Sequence, residues 1–451
     1  LEALLGDPTR ASRLVVDDAP MIGGRVLHLR DGVGIERRSG VADPGVLYSR
    51  EVVVPGSRFA FRMEVNDTGA PTQSGGGRWL AQACTKALVS GIRVGAGTTR
   101  GLGLLVLDDA KLTATGDLGT PEGVLDALTG STHAMDVDDA AVPPGVVQIR
   151  VSWVPRGTLM CGVAVEGAVD AIPQTTPALS ARKDGTPQDG HEVRLLLPGS
   201  GIKGALRARA EVIARTVLGV KPGEPRRSPT TVMEACADDD LPDVKALFGA
   251  PARSERDPAS GDREQRGRRG ALLIDDVLST SVVEASRWDA LRTALLALPK
   301  SGRADEDERK AHQRLAFREV VAALNSQLAE EGAGLELAVV DHVAVDRWTG
   351  GAAASRLFAA TEPTSCVWEP LTLELDLARL EEGEVSGAIA LLLLVLRDLA
   401  TGWIPLGKGT RRGWGDVEVS SIDIRLDDGS EWAWLEGDLL RLTKEKTAEL
   451  D

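Results

Sequence analysis

The sequence predicts an α+β protein built from a duplicated domain, and three observations carry this prediction. A glycine-rich motif of the form GxGTxRGxG occurs at 95–103 and again, 312 positions later, at 407–415. The segment DGVGIERRSG (31–40) parallels DHVAVDRWTG (341–350) at an offset of 310. Period-two alternation in SRFAFRMEV and LTLELDL predicts strands, whereas SGAIALLLLVLRDLA predicts a helix. Each copy therefore runs from strands through a loop to a helix and a glycine-rich motif.

Composition and charge restrict the function classes. The 451 residues are 43% hydrophobic and 26% charged, which is typical of a globular protein with more than one core. The longest apolar run (388–396) is far shorter than the roughly 20 residues that cross a bilayer, so no membrane span is expected. A net charge of −15 restricts any nucleic-acid contact to local basic clusters. Four widely spaced cysteines and no signal-peptide pattern predict a cytoplasmic protein.

The repeat divides the chain into two unequal domains. The second domain opens with a strand from Val147 and a helix within 195–217, and no counterparts precede Leu1. We therefore expect the first domain to lack its N-terminal strand and helix, because the chain is trimmed or another subunit supplies them. The predicted divisions are a first domain at 1–115, a linker at 116–145, a second domain at 146–430 with insertions near 250–270 and 303–332, and an acidic tail at 431–451.

Two further patterns concern helix and strand ends. The segment PGSGIKGALRARAE (198–211) places glycines and an early lysine at the start of a predicted helix, and Ser200 is expected to cap it. Such a helix start is either a phosphate site or a capped amphipathic helix with solvated cations, and it lacks the GxxxxGK[ST] pattern. The Asp pairs at 17–18 and 275–276 are expected at strand ends rather than in a metal site.

The glycine-rich motifs each follow a predicted helix and precede a strand. This order is the reverse of the dinucleotide-binding fingerprint, so a Rossmann-type site is excluded. The glycines either form a tight turn with positive φ or allow close approach to a ligand, and the arginines suit a phosphodiester. Retention of Thr and Arg in both copies favours a ligand. These candidate residues are Gly97, Thr98, Arg100, Gly409, Thr410 and Arg412.

Together, the PGSGIKGALR segment, the VDRWTG loop and the C-terminal glycine-rich motif resemble the RAMP superfamily, specifically the Csm- and Cmr-type backbone subunits of type III CRISPR effector complexes. The resemblance covers nearly the whole chain, with three motifs in family order and two of them present twice. It implies two tandem ferredoxin-like (RRM-like, βαββαβ) domains that hold a guide RNA within an antiviral ribonucleoprotein. The implied partners are guide (CRISPR) RNA, complementary target RNA and other subunits of the complex, with no membrane.

The resemblance also implies RNA-binding roles for particular residues. The glycine-rich motifs would approach the RNA backbone, and Ser200, Lys203 and Arg207 would line the guide channel. The stretches 37–48 and 347–358 match the region from which such subunits extend a thumb that interrupts the guide–target duplex. The thumb candidates are Arg37, Arg38, Arg347 and Trp348.

Target cleavage in such subunits depends on an Asp between the first strand and the PGS segment. Here that loop (161–197) holds Asp170, Asp184 and Asp189. Asp170 is the first candidate because VDAIP (169–173) resembles the family's surroundings of this Asp, and Asp184 is the second. A carboxylate can accept the proton of an RNA 2′-hydroxyl or bind Mg²⁺ or another divalent cation, so Asp170 is also the candidate metal ligand.

Four functional hypotheses follow. The first is a guide-RNA-binding subunit that cleaves target RNA as a metal-dependent endoribonuclease. The second is a non-catalytic RNA-binding filament subunit, and the third is a metal-independent guide-processing ribonuclease that uses His191 or His342. The fourth is an acidic scaffold without an RNA role. Loss of activity with EDTA argues against the third hypothesis, and absence of bound RNA after purification supports the fourth.

Overall fold

The computed structural model describes most of the chain. The described residues are 9, 11–23, 27–35, 41–65, 77–109, 111–135, 145–179, 192–219, 241–251, 267–296, 306–426 and 431–435. The candidates Arg37, Arg38, Asp184 and His191 lie outside these ranges.

In the first half, the described residues form short strand pairs and two helices. Strands β1 (Leu14–Val16) and β6 (Met63–Val65) pair, as do β2 (Met21–Gly23) and β5 (Arg58–Phe59), and β3 (Leu27–Ile35) and β4 (Ala42–Val53). Helix α1 (Gly77–Ser90) leads into β7 (Ile92–Arg93), which pairs with β8 (Leu104–Leu105). Strand β9 (Leu112–Ala114), helix α2 (Pro121–Thr129) and β10 (His133–Met135) follow.

A five-stranded antiparallel sheet organises the second half. Its order is β18 (Leu272–Ile274), β23 (Leu371–Asp376), β11 (Val146–Pro155), β24 (Val417–Arg425) and β25 (Glu431–Leu435). Helix α3 (Gly199–Leu218) connects β11 towards β18, and helix α7 (Val385–Ala400) connects β23 to β24. These elements follow one another as βαββαβ, with β11 and β23 at the centre of the sheet.

The core lies between this sheet and its helices. In β23 the alternating Leu371, Leu373 and Leu375 are buried while the residues between them are partly exposed, which is the period-two pattern read from the sequence. Helix α7 buries leucines and valine at helical spacing, including Leu392 and Val395, and contacts α3. Each fully buried leucine stabilises the fold by about 1.5–3 kcal/mol.

The second half contains further elements outside this five-stranded sheet. Strands β12 (Gly162–Ala164), β13 (Ala171–Pro173), β22 (Ala352–Ser365) and β21 (Glu336–Val345) form one sheet in that order. Strand β15 (Glu192–Leu197) pairs with β14 (Thr175–Ala178), β19 (Val277–Leu278) and β20 (Val283–Glu284). Strands β16 (Gly249–Ala250) and β17 (Arg268–Arg269) form a pair, and helices α4 (Pro242–Phe248), α5 (Ala285–Leu296) and α6 (Glu306–Glu330) complete the half.

The repeat extends to the register of strand pairing. In the hairpin β3–β4 Asp31 lies opposite Ser49, and in the hairpin β21–β22 Asp341 lies opposite Ala359. The offset of 310 holds along both hairpins, including the irregularity at 33–35 and at 343–345. The pair β1–β6 matches β18–β23 in register: Val15 lies opposite Glu64 as Leu273 lies opposite Glu374, although the offset is 258 for the first strand and 310 for the second. The two halves therefore contain hairpins that share one register of strand pairing.

Two predicted boundaries need correction. The described part of the predicted linker contains α2, and β10 in it pairs with β9. Thr120 caps α2 by accepting a hydrogen bond from Gly123 N at 3.1 Å, with Pro121 in the first turn. Gly, Pro and Asp therefore mark a helix boundary here, because the residues that favour loops also favour caps. The first residues of the predicted tail belong to the sheet as β25.

Within the described ranges, none of the helices combines the length and apolar character that crossing a membrane requires.

Candidate nucleic-acid interface

Both glycine-rich motifs fold into the same loop. Glycines at all four motif positions have positive φ in each copy, between 74° and 90° in the first and between 75° and 88° in the second. Arg100 N donates to Gly97 O at 2.8 Å, and Arg412 N donates to Gly409 O at 2.7 Å. The glycines are thus required by the backbone itself. The backbone conformation does not require threonine or arginine at the other repeated positions. A different property must therefore explain why both motifs contain them.

The second loop packs against the chain that follows β11. A Cβ on Gly407 would lie 2.5 Å from Met160 O, and Lys408 N donates to the same carbonyl oxygen at 2.7 Å. The Lys408 side chain runs along Gly162, where a Cβ would lie 2.7 Å from Lys408 Cδ. This packing places the loop beside the strand pair that carries Asp170.

Asp170 lies in the turn between β12 and β13, and it is exposed. Its Oδ2 accepts a hydrogen bond from Ala359 N at 2.7 Å, and its backbone N donates to Ala359 O at 2.8 Å. Asp170 is therefore more than a turn former, because its side chain is fixed to strand β22 midway along the hairpin β21–β22. Its loop packs on the second glycine-rich loop, as the packing of Lys408 shows.

An aromatic and ionic cluster continues from Asp170 along the hairpin. His342 bonds to the buried Glu362, stacks on Phe358 at 4.9 Å between ring centroids, and meets Trp414 edge-on at 5.2 Å. The guanidinium of Arg412 lies 5.3 Å above the Phe358 ring. The hairpin and the loop thus present rings and a guanidinium, the groups on which nucleobases stack.

Lys408 lies in the electrostatic field of this cluster. Burial lowers its pKa and Arg412 lowers it further, whereas the carboxylates of Glu362 and Asp170 raise it. Lys408 and Glu362 are not among the candidate site residues that the sequence patterns indicate. Lys408 could have been found from the sequence, because it lies inside the repeated glycine-rich motif. Glu362 could not, because it resembles any other polar residue of a strand.

A second basic region lies where α3 begins. The helix is capped by Pro198 without a side-chain hydrogen bond, so the prediction that Ser200 caps it is wrong. Instead, Asp276 Oδ1 accepts from Gly199 N at 2.8 Å. Ser200 is the second residue of the helix and exposed, because the helix begins two residues earlier than the cap preference of serine predicts.

Lys203 and Arg207 are held within the fold. Lys203 is 6% exposed, and its Nζ donates to Leu272 O at 2.6 Å. Burial, followed by the positive charges of Arg100, Arg207 and Arg269, lowers the pKa of Lys203 to about 7. Arg207 donates to Glu211 Oε1 and to Gly249 O, each at 3.0 Å. RNA contact by either cation would require it to leave these partners.

The first glycine-rich loop meets this helix start. Arg269 donates to Thr98 Oγ1 at 2.5 Å, and a Cβ on Gly101 would lie 2.0 Å from Asp276 Oδ1. The loop therefore brings the exposed Arg100 next to Ser200 and Lys203 across the boundary between the halves. Sequence reasoning missed this neighbourhood, because it depends on contacts between residues more than a hundred positions apart.

The tip of the hairpin β21–β22 carries the thumb candidates. Trp348 is 97% exposed and Arg347 is exposed. Asp346 orders the tip, because its Oδ1 accepts from Trp348 N at 3.0 Å and Thr349 N at 2.8 Å. These bonds lower the pKa of Asp346. The tip is thus an ordered turn that presents an unburied tryptophan.

A divalent cation at Asp170 would depend on its substrate. Among the described residues, no three His, Cys, Asp or Glu side chains converge on a metal position. Mg²⁺ commonly takes one or two protein carboxylates together with phosphate oxygens, so the exposed Asp170 fits a cation shared with RNA.

The comparisons with known proteins agree with these observations. No curated protein matches the chain. A family model described as the RAMP superfamily matches residues 1–106 and 129–418, which is most of the chain. The chain therefore belongs to the RAMP superfamily, and this membership implies a CRISPR-associated, RNA-binding function.

Proposed function

We propose that this chain is a backbone subunit of a Csm- or Cmr-type (type III) CRISPR effector complex that holds guide RNA and cleaves complementary target RNA. In this proposal the two repeats are tandem ferredoxin-like domains, and the complex with its other subunits works in the cytoplasm. The observation that carries the proposal is the Asp170 carboxylate, which is fixed to the middle of the hairpin β21–β22 beside a glycine-rich loop that bears Lys408 and Arg412.

RNA binding would use the two glycine-rich loops and the hairpin. Arg100 and Ser200 are exposed at one loop, and Arg412 and Thr410 belong to the other. Sequence-independent contacts to phosphate are sufficient for a guide-bearing subunit, because base pairing between guide and target reads the sequence. The ordered tip with Trp348 suits insertion between stacked bases.

Cleavage would use the 2′-hydroxyl of the target strand as the nucleophile: the O2′–P bond forms while the P–O5′ bond breaks, leaving a 2′,3′-cyclic phosphate and a 5′-hydroxyl whose oxygen takes its proton from water. Asp170 would accept the hydroxyl proton, while the strand bond from Ala359 N keeps the carboxylate in place. The cations of Lys408 and Arg412 would stabilise the additional negative charge on the phosphorus centre. Asp170 would also hold the divalent cation, which would supply further stabilisation of negative charge. The hairpin would hold the displaced nucleotide in the in-line geometry that the reaction needs.

A single-turnover cleavage assay on the guide-loaded complex tests this proposal. We expect Asp170→Asn to reduce the rate with Mg²⁺ by about 10³-fold or more, because it removes the group that takes the proton. Asp289→Asn is the matched control, since Asp289 is an exposed helix residue of the second half. Retained RNA binding without cleavage in the wild type would instead favour the non-catalytic filament subunit.

A specific observation keeps a second function in view. His342 is paired with the buried Glu362 and lies beside Arg412 and Trp414, so it could act as a general base without a metal ion. Under this alternative, EDTA leaves cleavage unchanged and His342→Gln abolishes it. Under the first proposal, EDTA abolishes cleavage and His342→Gln acts mainly through the packing of the hairpin.

A further inference from the structure

The turn that carries Asp170 is held by two different parts of the second half. On one side, strand β22 binds Asp170 itself, through the backbone and the carboxylate contacts with Ala359. On the other side, Ala168 N donates to Leu295 O at 3.1 Å, near the end of helix α5. Gly167 passes close to the same carbonyl, because a Cβ there would lie 2.3 Å from Leu295 O. The backbone just before Asp170 is therefore fixed to a helix as well as to a strand.

Arg314 of helix α6 completes this attachment. Its Nε donates to Ala168 O at 3.2 Å, and its Nη1 donates to Asp341 Oδ1 at 2.8 Å. Asp341 lies opposite Ala359 in the hairpin β21–β22, and Ala359 N is the donor that holds the Asp170 carboxylate. One guanidinium therefore joins the turn of Asp170 to the position of the hairpin that binds Asp170.

The chemistry of this connection suits arginine. The side chain of Arg314 is only 20% exposed, so its hydrogen bonds are largely shielded from water. Its planar guanidinium donates in two directions from one rigid group, which fixes the distance between a carbonyl oxygen and a carboxylate. Lysine at this position would keep the positive charge near Asp341, but its flexible chain would not fix that distance.

Arg318, one turn further along α6, offers an internal comparison. Its Nη2 donates to Asp341 Oδ2 at 2.7 Å, and its side chain is 41% exposed. Within the described ranges, Arg318 forms no hydrogen bond with the turn of Asp170. Loss of Arg314 would thus leave Asp341 with a countercharge but would release Ala168 O. The two arginines separate the charge at Asp341 from the position of the turn.

Helices α5 and α6 lie in a segment that lengthens the second half. The offset between the halves is 258 for β1 and β18 but 310 for β3 and β21, so the second half has additional residues between β18 and β21. Both helices fall between these strands, and Gln313 Nε2 joins them by donating to Leu295 O at 3.0 Å. The contacts of Leu295 and Arg314 with the turn are therefore separate from the strand pairing that the two halves share.

We propose that Arg314 is a positioning residue for RNA cleavage, which holds the turn of Asp170 so that the carboxylate can reach the 2′-hydroxyl proton. The inference rests on the proposed function, because it takes Asp170 as the proton acceptor. A general base must lie within hydrogen-bond reach of its proton, and a displacement of about 1 Å can lower a rate by about 100-fold. Because Asp170 is exposed, the contacts of its turn and of strand β22 determine where the carboxylate lies.

Single-turnover cleavage by the guide-loaded complex tests this role. We expect Arg314→Met and Arg314→Lys each to lower the cleavage rate by about 10- to 100-fold, with the affinity for target RNA unchanged. Arg318→Met, the matched control, should cleave within about twofold of the wild-type rate, because it removes only a half-exposed ion pair. Equal rates for Arg314→Met and Arg318→Met would overturn the inference. Full activity of Arg314→Lys would do the same, since charge alone would then be sufficient.

A double variant shows whether Arg314 acts through Asp170. If it does, adding Arg314→Met to Asp170→Asn should cause no further loss of rate, because the group that it positions is already gone. Losses that multiply in the double variant would mean that Arg314 acts independently of Asp170, which contradicts the inference.

Hydrogen–deuterium exchange of the complex checks the attachment without a cleavage reaction. In Arg314→Met the amides of Ala168 and Asp170 should exchange faster than in the wild type, whereas Arg318→Met should keep their protection. Unchanged protection of strand β23 shows that each variant is folded. Wild-type protection of the turn in Arg314→Met would overturn the inference alone. A wild type that does not cleave, or Asp170→Asn that cleaves at the wild-type rate, would instead overturn the proposed function and the positioning role with it.

Discussion

At the scale of single residues, the buried ionisable groups have partners that their sequence context does not reveal. Lys203 is the clearest case, because its ammonium bonds to Leu272 O inside the core while three arginines lie within electrostatic reach. Its sequence context, an early lysine in a glycine-rich helix start, suggested a phosphate ligand. The same residue type at the same spacing serves a backbone carbonyl instead, and no sequence pattern separates these two uses.

The lowered pKa of Lys203 predicts a pH dependence of stability. The folded state holds this pKa at about 7, below its ordinary value of 10.5, so above pH 7 the folded chain binds fewer protons here than the unfolded chain. This group therefore makes the free energy of unfolding increase from about pH 7 towards pH 10. Urea unfolding at pH 7, 8 and 9 should show that wild type gains stability relative to Lys203→Met. Parallel pH profiles of the two proteins would contradict this assignment.

Two glycines of one loop should respond differently to alanine. Gly413 and Gly415 both have positive φ, but a Cβ on Gly415 would lie 2.0 Å from Leu406 O, whereas one on Gly413 meets no atom within 4 Å. Gly413→Ala should cost about 1 kcal/mol from backbone strain alone. Gly415→Ala should cost about 3 kcal/mol or more, since strand β24 or the loop must move. Equal changes in thermal unfolding of the two variants would show that the loop is not held as described.

Asp170 and its neighbours show which residues of the candidate site could be predicted from the sequence and which could not. The sequence singled out Asp170 and Arg412, and in the structure both contact strand β22 of one hairpin, at the adjacent residues Ala359 and Phe358. Lys408 and Glu362 join them through packing and cross-strand position, which depend on register. The register of strand pairing could not be predicted from the sequence. The repeat predicts only that the two hairpins have the same register.

At the scale of elements, the hairpins β3–β4 and β21–β22 are the units that the duplication preserved best. Their pairing agrees residue by residue at an offset of 310. The similarity of the segments 31–40 and 341–350 predicted that the two hairpins correspond, because each segment runs from one strand of a hairpin towards the other. The structured segment around α2 was misread for the opposite reason: its capping residues Thr120, Pro121 and Gly130 resemble a loop in composition.

The tip of β21–β22 predicts a separation of stability from RNA binding. Trp348→Ala removes a side chain that is 97% exposed, so the free energy of unfolding should change by less than about 0.5 kcal/mol. Affinity for the guide–target duplex should fall by about 10-fold, as expected when one base-stacking contact is lost. Fluorescence anisotropy with labelled RNA measures this loss. A destabilised variant, or unchanged affinity, would contradict the role assigned to the tip.

At the scale of the whole molecule, ion pairs join the two halves. Arg93 pairs with Asp275 at 2.6 Å and with Glu374 at 3.1 Å, and Arg30 pairs with Asp276 at 2.5 Å. Arg93→Met would leave Asp275 and Glu374 largely buried without their countercharge, so we expect a loss of about 3 kcal/mol. Arg62→Met is the matched control, because Arg62 lies near Asp17 and pairs with Glu64 at a site open to solvent, so its loss should change stability by less than about 0.5 kcal/mol. Urea unfolding compares the two variants. Equal, small effects would mean that the halves are joined mainly by other contacts.

The fold class was readable at this scale, but the contacts between the halves were not. Alternating strands and an apolar helix predicted the α+β class, which is confirmed, and the strands of the second half follow one another in the βαββαβ order. The docking of Arg30 and Arg93 onto Asp275 and Asp276 was not predictable, because each of these residues alone resembles a solvated charge.

The most direct test of the central claim is a map of the cleavage positions on an end-labelled complementary RNA, at single-nucleotide resolution. The guide-loaded complex with wild-type chain is compared with the complex that carries Asp170→Asn. The account predicts Mg²⁺-dependent cuts in the wild type and the loss of the cut made by this chain, with target binding unchanged. An identical cut pattern in the variant, or a wild-type complex that holds no RNA, would contradict it.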